Sequence, residues 1–383
     1  MSPPAFGELP AISRRSVLRG AALLGGLGLL SACGSRAEPA ATTAAGGITV
    51  QDQRGTTLTF DRPVTRIVTL PMPAASLAIA VDASADHLVG MNEASFTAIR
   101  DGIMATMFPR ATGIAHDVAG QDFTPNVESI LALRPDVVVQ WADEGTGIIA
   151  PLENAGLKVL GVTYGTQDDL DTWTTLFATI LGKPDRAKEM ISRSDAALRE
   201  VKARTAKVAG AAPKVLYFNR FSAGLKVAGP RTYNDFYIRL VGAENPASGP
   251  TGVRGPGMVG VDVEQVLGWD PDIVLLGNFD EAMPDDVYGD AVWGPVSAVR
   301  SRRVYKVPLG GYRWDPPGQE SPLMWRWLSR IVFPGDDGRP LRDDVRDAYG
   351  FLYGYRPTDA DLGRILWSEV NGGSAGYGQF DAR

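Results

Sequence analysis

The clearest pattern of apolar and polar positions in this chain occurs twice. Residues 127–139 read VESILALRPDVVV, and residues 263–275 read VEQVLGWDPDIVL. In each copy apolar residues at helical spacing (Val127, Ile130, Leu131; Val263, Val266, Leu267) predict a helix lying on a sheet. Pro135-Asp136 and Pro271-Asp272 then end that helix, because proline cannot continue it and turns the preceding residue towards extended geometry. The Val/Ile run that follows predicts a strand buried on both faces, as in a parallel sheet. Two equivalent units so far apart predict two similarly built lobes that face one another across a cleft.

The alternation extends along the chain. Strands are expected at 66–70, 88–91, 136–141 and 158–162, separated by helices at 74–83, 127–133, 146–155 and 170–181. That order makes a parallel α/β sheet. Residues 184–208 contain no glycine, open on Pro184 and interleave charges with Met190, Ile191, Ala197, Leu198 and Val201. They predict one long amphipathic helix, stiff enough to hold the lobes at a nearly fixed angle. Strands at 214–219, 272–276 and 304–307 then alternate with helices at 233–241, 262–268, 290–300 and 322–332. Two short helices, 341–353 and 359–370, precede a last stretch that reads as frayed. The fold class is therefore α/β: two parallel-sheet lobes joined by one long rigid helix, with a ligand cleft between them. The expected partition is a first lobe at 48–181, the joining helix at 182–210, a second lobe at 211–334 and a helical extension at 335–383.

Residues 13–19, SRRSVLR, precede the short apolar run AALLGGLGLL and then Leu30-Ser31-Ala32-Cys33. Paired arginines before such a run mark a twin-arginine export signal at 1–32. The run is too short to cross a bilayer. Leu30 to Cys33 resembles a bacterial lipobox, which makes Cys33, the single cysteine, the lipidated residue and 33–47 a flexible tether. Removing 1–32 takes three arginines and one glutamate, which moves the net charge from −6 to −8. An acidic chain without basic clusters argues against nucleic-acid binding. One cysteine excludes an intrachain disulfide.

Several segments in this order, RIVTL (66–70), NVESILALRPDVVV (126–139), VDVEQVLGWDPDIVLLG (261–277), SAVRSRRVYKVP (297–308) and PLMWRWLSRIVFP (322–334), resemble a substrate-binding lipoprotein of an ABC importer. The group is the iron-complex, haem and cobalamin class. The resemblance implies a monomeric, non-enzymatic receptor on the outer face of the cell membrane, held there by lipid alone. Its partners would be an ABC permease dimer with its ATPase. It would carry no cofactor of its own, and its ligand would be a chelated Fe(III) complex such as a ferric siderophore. In such proteins one acidic residue on each lobe docks onto permease arginines, a role that falls here on Glu128 and Glu264. By themselves, both read equally as helix N-terminal carboxylates stabilised by the dipole.

Ligands of open α/β sheets bind beyond the carboxyl ends of strands. The loop GYRWDPPGQESP (311–322) leaves such an end and offers Tyr312, Arg313 and Trp314. Trp141, Tyr164 and Arg220 stand at other strand ends. Arg254 lies in a Gly-rich segment expected to be a mobile cleft edge. Its literal G-x-G-x-x-G, Gly255 to Gly260, lacks the preceding strand that a dinucleotide site needs. Arginine forks hold anions, and aromatic rings stack on planar or apolar ligand parts. Each of these residues could equally be packing. A bare-metal site is not expected, because His87 and His116 are the only imidazoles. A haem or corrinoid receptor, with Tyr164 or Tyr312 as haem ligand, stays open, as does a secreted two-lobed enzyme. The latter lacks any G-x-S-x-G or H-E-x-x-H motif. Cys33→Ala is expected to move the protein from the membrane fraction to the soluble one with ligand affinity unchanged; fractionation at ordinary salt checks this.

Overall fold

The computed structural model describes residues 43–44 and 47–381, apart from 121, 144, 208–209, 256 and 336–338. The export signal, Cys33 and most of the tether lie outside the described residues.

The repeated Pro-Asp has a structural reason. Asp136 accepts hydrogen bonds from the Thr65 amide (2.7 Å) and the Arg66 amide (3.0 Å), and Asp272 accepts from the Lys214 amide (2.8 Å). Each aspartate thus ties the start of its own strand to the start of the neighbouring parallel strand. Burial works against the Asp136 charge, but the bonds from Thr65 and Arg66 hold its carboxyl below the usual range.

Three sheets result. A small antiparallel sheet, β1 (Thr43–Ala44), β2 (Gly47–Gln51) and β3 (Thr57–Phe60), precedes the first lobe. It was not expected, and it places residues 43, 44 and 47 of the supposed tether in strands. Asp52 fastens it to the lobe by accepting from the Gly161 amide at 2.8 Å. The first lobe is a parallel sheet of β4 (Ile67–Thr69), β5 (Leu88–Met91), β6 (Val137–Trp141) and β7 (Val159–Val162), in the order β5-β4-β6-β7. The second lobe contains β8 (Val215–Arg220), β9 (Lys226–Ala228), β10 (Met258–Gly260), β11 (Ile273–Leu276) and β12 (Val304–Lys306). Its order is β10-β9-β8-β11-β12, with β8, β11 and β12 parallel and an antiparallel hairpin on one edge. Every residue of β6 and β11 is buried, as their apolar runs require.

The helix Pro184–Thr205 follows the first lobe and buries Ala187, Met190, Ala197 and Val201. The single helix expected at 290–300 is instead a 3-10 turn at Ala291–Trp293 and a helix at Ser297–Arg300. Pro295 between them cannot donate the helical hydrogen bond. The helix expected at 359–370 breaks at Trp367, whose backbone is left-handed (φ 52°).

The last described residues are not frayed. Tyr377 and Phe380 are buried in the same cluster as Tyr237, Trp325, Leu328, Val345 and Tyr349. Asn371 pairs with both backbone groups of Lys306, and Ser374 donates to Val304 O, so this segment covers the outer edge of β12.

A buried carboxylate organises the junction of the lobes. Glu320, 2% exposed, accepts from the Gly311 amide (3.0 Å), Trp314 Nε1 (2.6 Å), the Tyr349 hydroxyl (2.8 Å) and the Tyr353 hydroxyl (2.5 Å). A methyl group at Gly310 would overlap Glu320 Oε2 and the Tyr349 hydroxyl, whereas one at Gly318 would meet nothing within 4 Å. Gly310→Ala is therefore expected to cost about 3 kcal/mol, and Gly318→Ala, on the same loop, close to nothing. Urea denaturation of the two variants measures the difference.

Candidate ligand cleft between the lobes

The carboxyl ends of the parallel strands in the two lobes meet. From the first lobe, Trp141 ends β6 and Tyr164 lies two residues beyond β7. Trp141 is 5% exposed and meets Tyr164 edge-on (5.7 Å between centroids), with Phe123 at 5.9 Å and Trp173 at 5.5 Å. Its indole N–H is buried without an acceptor among the described residues. Tyr164 is 38% exposed as a residue, but its hydroxyl end is enclosed. Its phenol pKa is pushed up, first by burial and then by Asp315 and Tyr312 of the opposite lobe. Pro73 and Pro317 join Tyr164 and Trp173 around a small shared recess.

From the second lobe come the loops that leave β8, β11 and β12. Arg313 donates from Nε to Asn278 O (3.0 Å) and from Nη1 to Ala94 O of the first lobe (2.9 Å). Its guanidinium also lies 4.4 Å from the centre of the Phe279 ring. Arg220 donates to Phe279 O at 2.5 Å. The fully buried Asp315 accepts from the Tyr217 hydroxyl (2.6 Å) and the Asn278 amide (3.1 Å). Further ties cross the junction: the Ile103 amide donates to Gly310 O (2.9 Å), and the Tyr233 hydroxyl donates to Gln167 (2.9 Å).

The expected residues therefore divide. Trp141, Tyr164, Tyr312 and Arg313 come together at the junction, and Arg220 reaches it through the Phe279 carbonyl. Trp314 does not present itself to a ligand. It is 1% exposed and spends its indole N–H on Glu320. Tyr312 is equally buried at 1%, and burial raises its phenol pKa. Arg313, expected as an open anion fork, is 7% exposed and already ties one lobe to the other. Arg254 is exposed beside β10, and the segment expected to be mobile there is partly an edge strand paired with β9. Glu128 and Glu264 are both exposed in the first turns of equivalent helices, Val127–Ala132 and Val263–Trp269. Asn126 and Asp262 cap those helices with their side chains.

Asn278 and Phe279 are expected at the end of β11 and do lie at the junction, whereas Asp315 and Lys306 were missed. A lysine closing an otherwise apolar strand is an anomaly that can be seen in the sequence, but its partners lie far away along the chain. No group of three or more potential metal-ligating side chains occurs among the described residues. His87 sits 2.9 Å from Asp82, which also takes Lys183, and His116 pairs with Glu93.

Lys306 is 2% exposed, and burial lowers its pKa from 10.5 to about 8. Asp315, Asp280 and Asp286 oppose the fall, and Arg313 adds to it. Between these two values the unfolded chain keeps the proton that the folded chain has released. Folding stability therefore rises with pH across that window. From pH 8 to 9.5 the wild type is expected to gain about 1.5 kcal/mol relative to Lys306→Met. Denaturation of both proteins at the two pH values checks this.

Comparison with known proteins agrees with this architecture. A family described as periplasmic binding protein matches residues 111–309. A periplasmic solute binding protein of Veillonella parvula superposes with a TM-score of 0.77 at 33% identity, covering 85% of this chain and 98% of that one. The molybdate-binding protein MolA of Haemophilus influenzae is 22% identical over 61% of this chain and 72% of its own length. The iron(3+)-hydroxamate-binding protein FhuD of Bacillus subtilis is 24% identical over 52% of this chain and 64% of its own length. Other similar proteins are named for binding Fe(3+) dicitrate, cobalamin and haem. Proteins of this kind are solute-binding components of ABC importers rather than enzymes, and they work outside the cytoplasm. Among the described residues no helix is long and apolar enough to cross a membrane. The chain belongs to the periplasmic binding protein family.

Proposed function

We propose that this protein captures a ferric chelate of the siderophore type in the cleft between its lobes and delivers it to an ABC permease. It acts as a lipid-anchored monomer exported by the twin-arginine route. The observation that carries the reading is the chemistry of the junction. Aromatic rings and guanidinium groups converge there, while the described residues contain no cluster able to hold a bare metal. Tyr312, one of the two phenols considered for haem, is 1% exposed and so closed to a ligand iron. The metal therefore arrives already wrapped, and the cleft grips the wrapping. Tyr164, Trp141 and Arg220 are the first-ranked contacts, with Arg254 at the rim. Arg313 acts from behind as the tie between the lobes.

Titration of the purified protein with ferrioxamine, ferric citrate, haemin, cobalamin and molybdate, followed by tryptophan fluorescence, tests this. Ferrioxamine or ferric citrate is expected to quench at micromolar concentration or below. Tighter binding of haemin, cobalamin or molybdate than of either ferric chelate overturns the ligand class. The exposed Glu128 and Glu264 are proposed to dock on the permease. Charges at a rim govern association more than a distant cleft. The double variant Glu128→Ala/Glu264→Ala should abolish uptake into cells while the isolated protein binds its ligand as before. A loss of affinity in that protein would move these residues into the cleft.

A further inference from the structure

The side chain of Lys306 ends in a cage of backbone. Its Nζ donates to Gly277 O (3.0 Å), Asp280 O (2.7 Å) and Ala282 O (3.0 Å). An ammonium carries three donors and no acceptor, so three convergent carbonyls satisfy it completely. The reverse also holds: the loop after β11 aims three carbonyls into buried space, and each left bare would cost about 1–3 kcal/mol. The cation stands at the centre of that loop and bonds to it at three points.

That loop is also the place where the strand exits of the second lobe are tied together. The carboxylate of Asp280 accepts from the amides of Phe221 (2.9 Å) and Ser222 (3.0 Å), which leave β8. Donation from three amides, that of Ala282 among them, and from the Ser222 hydroxyl holds its carboxyl down at about 2 although burial works the other way. The carbonyls of Asn278 and Phe279 receive Arg313 and Arg220, and the Asn278 amide donates to Asp315. Lys306 itself ends β12, and its backbone is clamped on the outside by Asn371 (2.7 and 3.0 Å). A single tethered charge thus lies beneath the loops that follow β8, β11 and β12.

We propose that Lys306 is a positioning residue for ligand capture: a built-in cation whose carbonyl cage fixes the two ligand-facing loops that follow β8 and β11. The cage is in chemical terms a site for a primary ammonium ion, which the chain fills with its own side chain. That the loops face the ligand rests on the function proposed above.

Removal of the side chain beyond Cβ leaves a space with the shape of propylammonium. In Lys306→Ala, amide exchange in peptides covering residues 219–222 and 277–282 is expected to rise by about ten-fold or more, the loss of one or two net hydrogen bonds. Exchange in β6 should not change. Propylammonium chloride should restore protection of both loops and, with it, ferrioxamine affinity, whereas propanol should restore neither. Unchanged exchange, or equal rescue by propanol, overturns the proposal, because apolar filling would then be the whole role of the side chain. Lys306→Met keeps the stem without the charge and serves if the alanine variant does not fold. It should also expose both loops, and wild-type exchange in it overturns the proposal. The exchange measurement needs no ligand. If ferrioxamine fails to bind even the wild type, the ligand class is overturned, and exchange still decides the role of Lys306.

Discussion

Backbone and side-chain polar groups that meet where the lobes join must find partners without water, and that constraint governs the rest of the molecule. Glu320 shows it most plainly. An isolated buried carboxylate would be prohibitive, and burial does push its pKa up. Four donors, from the Gly311 amide, Trp314, Tyr349 and Tyr353, make it tolerable. Those donors come from the loop after β12 and from the helix Leu341–Tyr353, so satisfying one charge holds two separate parts of the chain in register. Paired glycines at 310 and 311 are a consequence, since side chains there would occupy the space of the carboxylate.

The same principle explains why the lobes are joined by more than one helix. Arg313, Ile103 and Tyr233 each make hydrogen bonds that cross the junction. Arg186 donates to the carbonyls of Ala80, Phe351 and Leu352, which ties the start of the joining helix to the first lobe and to the C-terminal segment. One hydrophobic cluster then runs through both lobes and the last helices. Large changes of angle between the lobes would break bonds to buried groups, each costly to leave unpaired. The junction is thus held by bonds on several elements and not by the joining helix alone.

Charge is distributed accordingly. Glu128 and Glu264 stay exposed at the start of capped helices. The buried charges near the cleft, Lys306, Arg313, Asp315 and Glu320, are spent on backbone and phenol partners. Each of them joins separate stretches of the chain.

The lobe pattern was legible in the sequence because it rests on local rules. Periodicity, Pro-Asp stops and β-branched runs located β4 to β8, β11 and β12 to within a residue or two. They also located the long helix from Pro184. Edge strands were not legible: β9 and β10 are three residues each with exposed positions, and nothing in their composition marks them. Nor were the breaks at Pro295 and Trp367, where a helical pattern of side chains continues across a backbone that does not. Of the candidate site, residue types at strand ends could be read, which found Trp141, Tyr164 and Arg220. Their roles could not, because Trp314 and Arg313 look alike in the sequence whether they meet a ligand or a buried partner. The sequence by itself determined two α/β lobes, the joining helix and the family. Only the tertiary structure decided which polar groups are satisfied internally, because most such partnerships join residues tens to hundreds of positions apart.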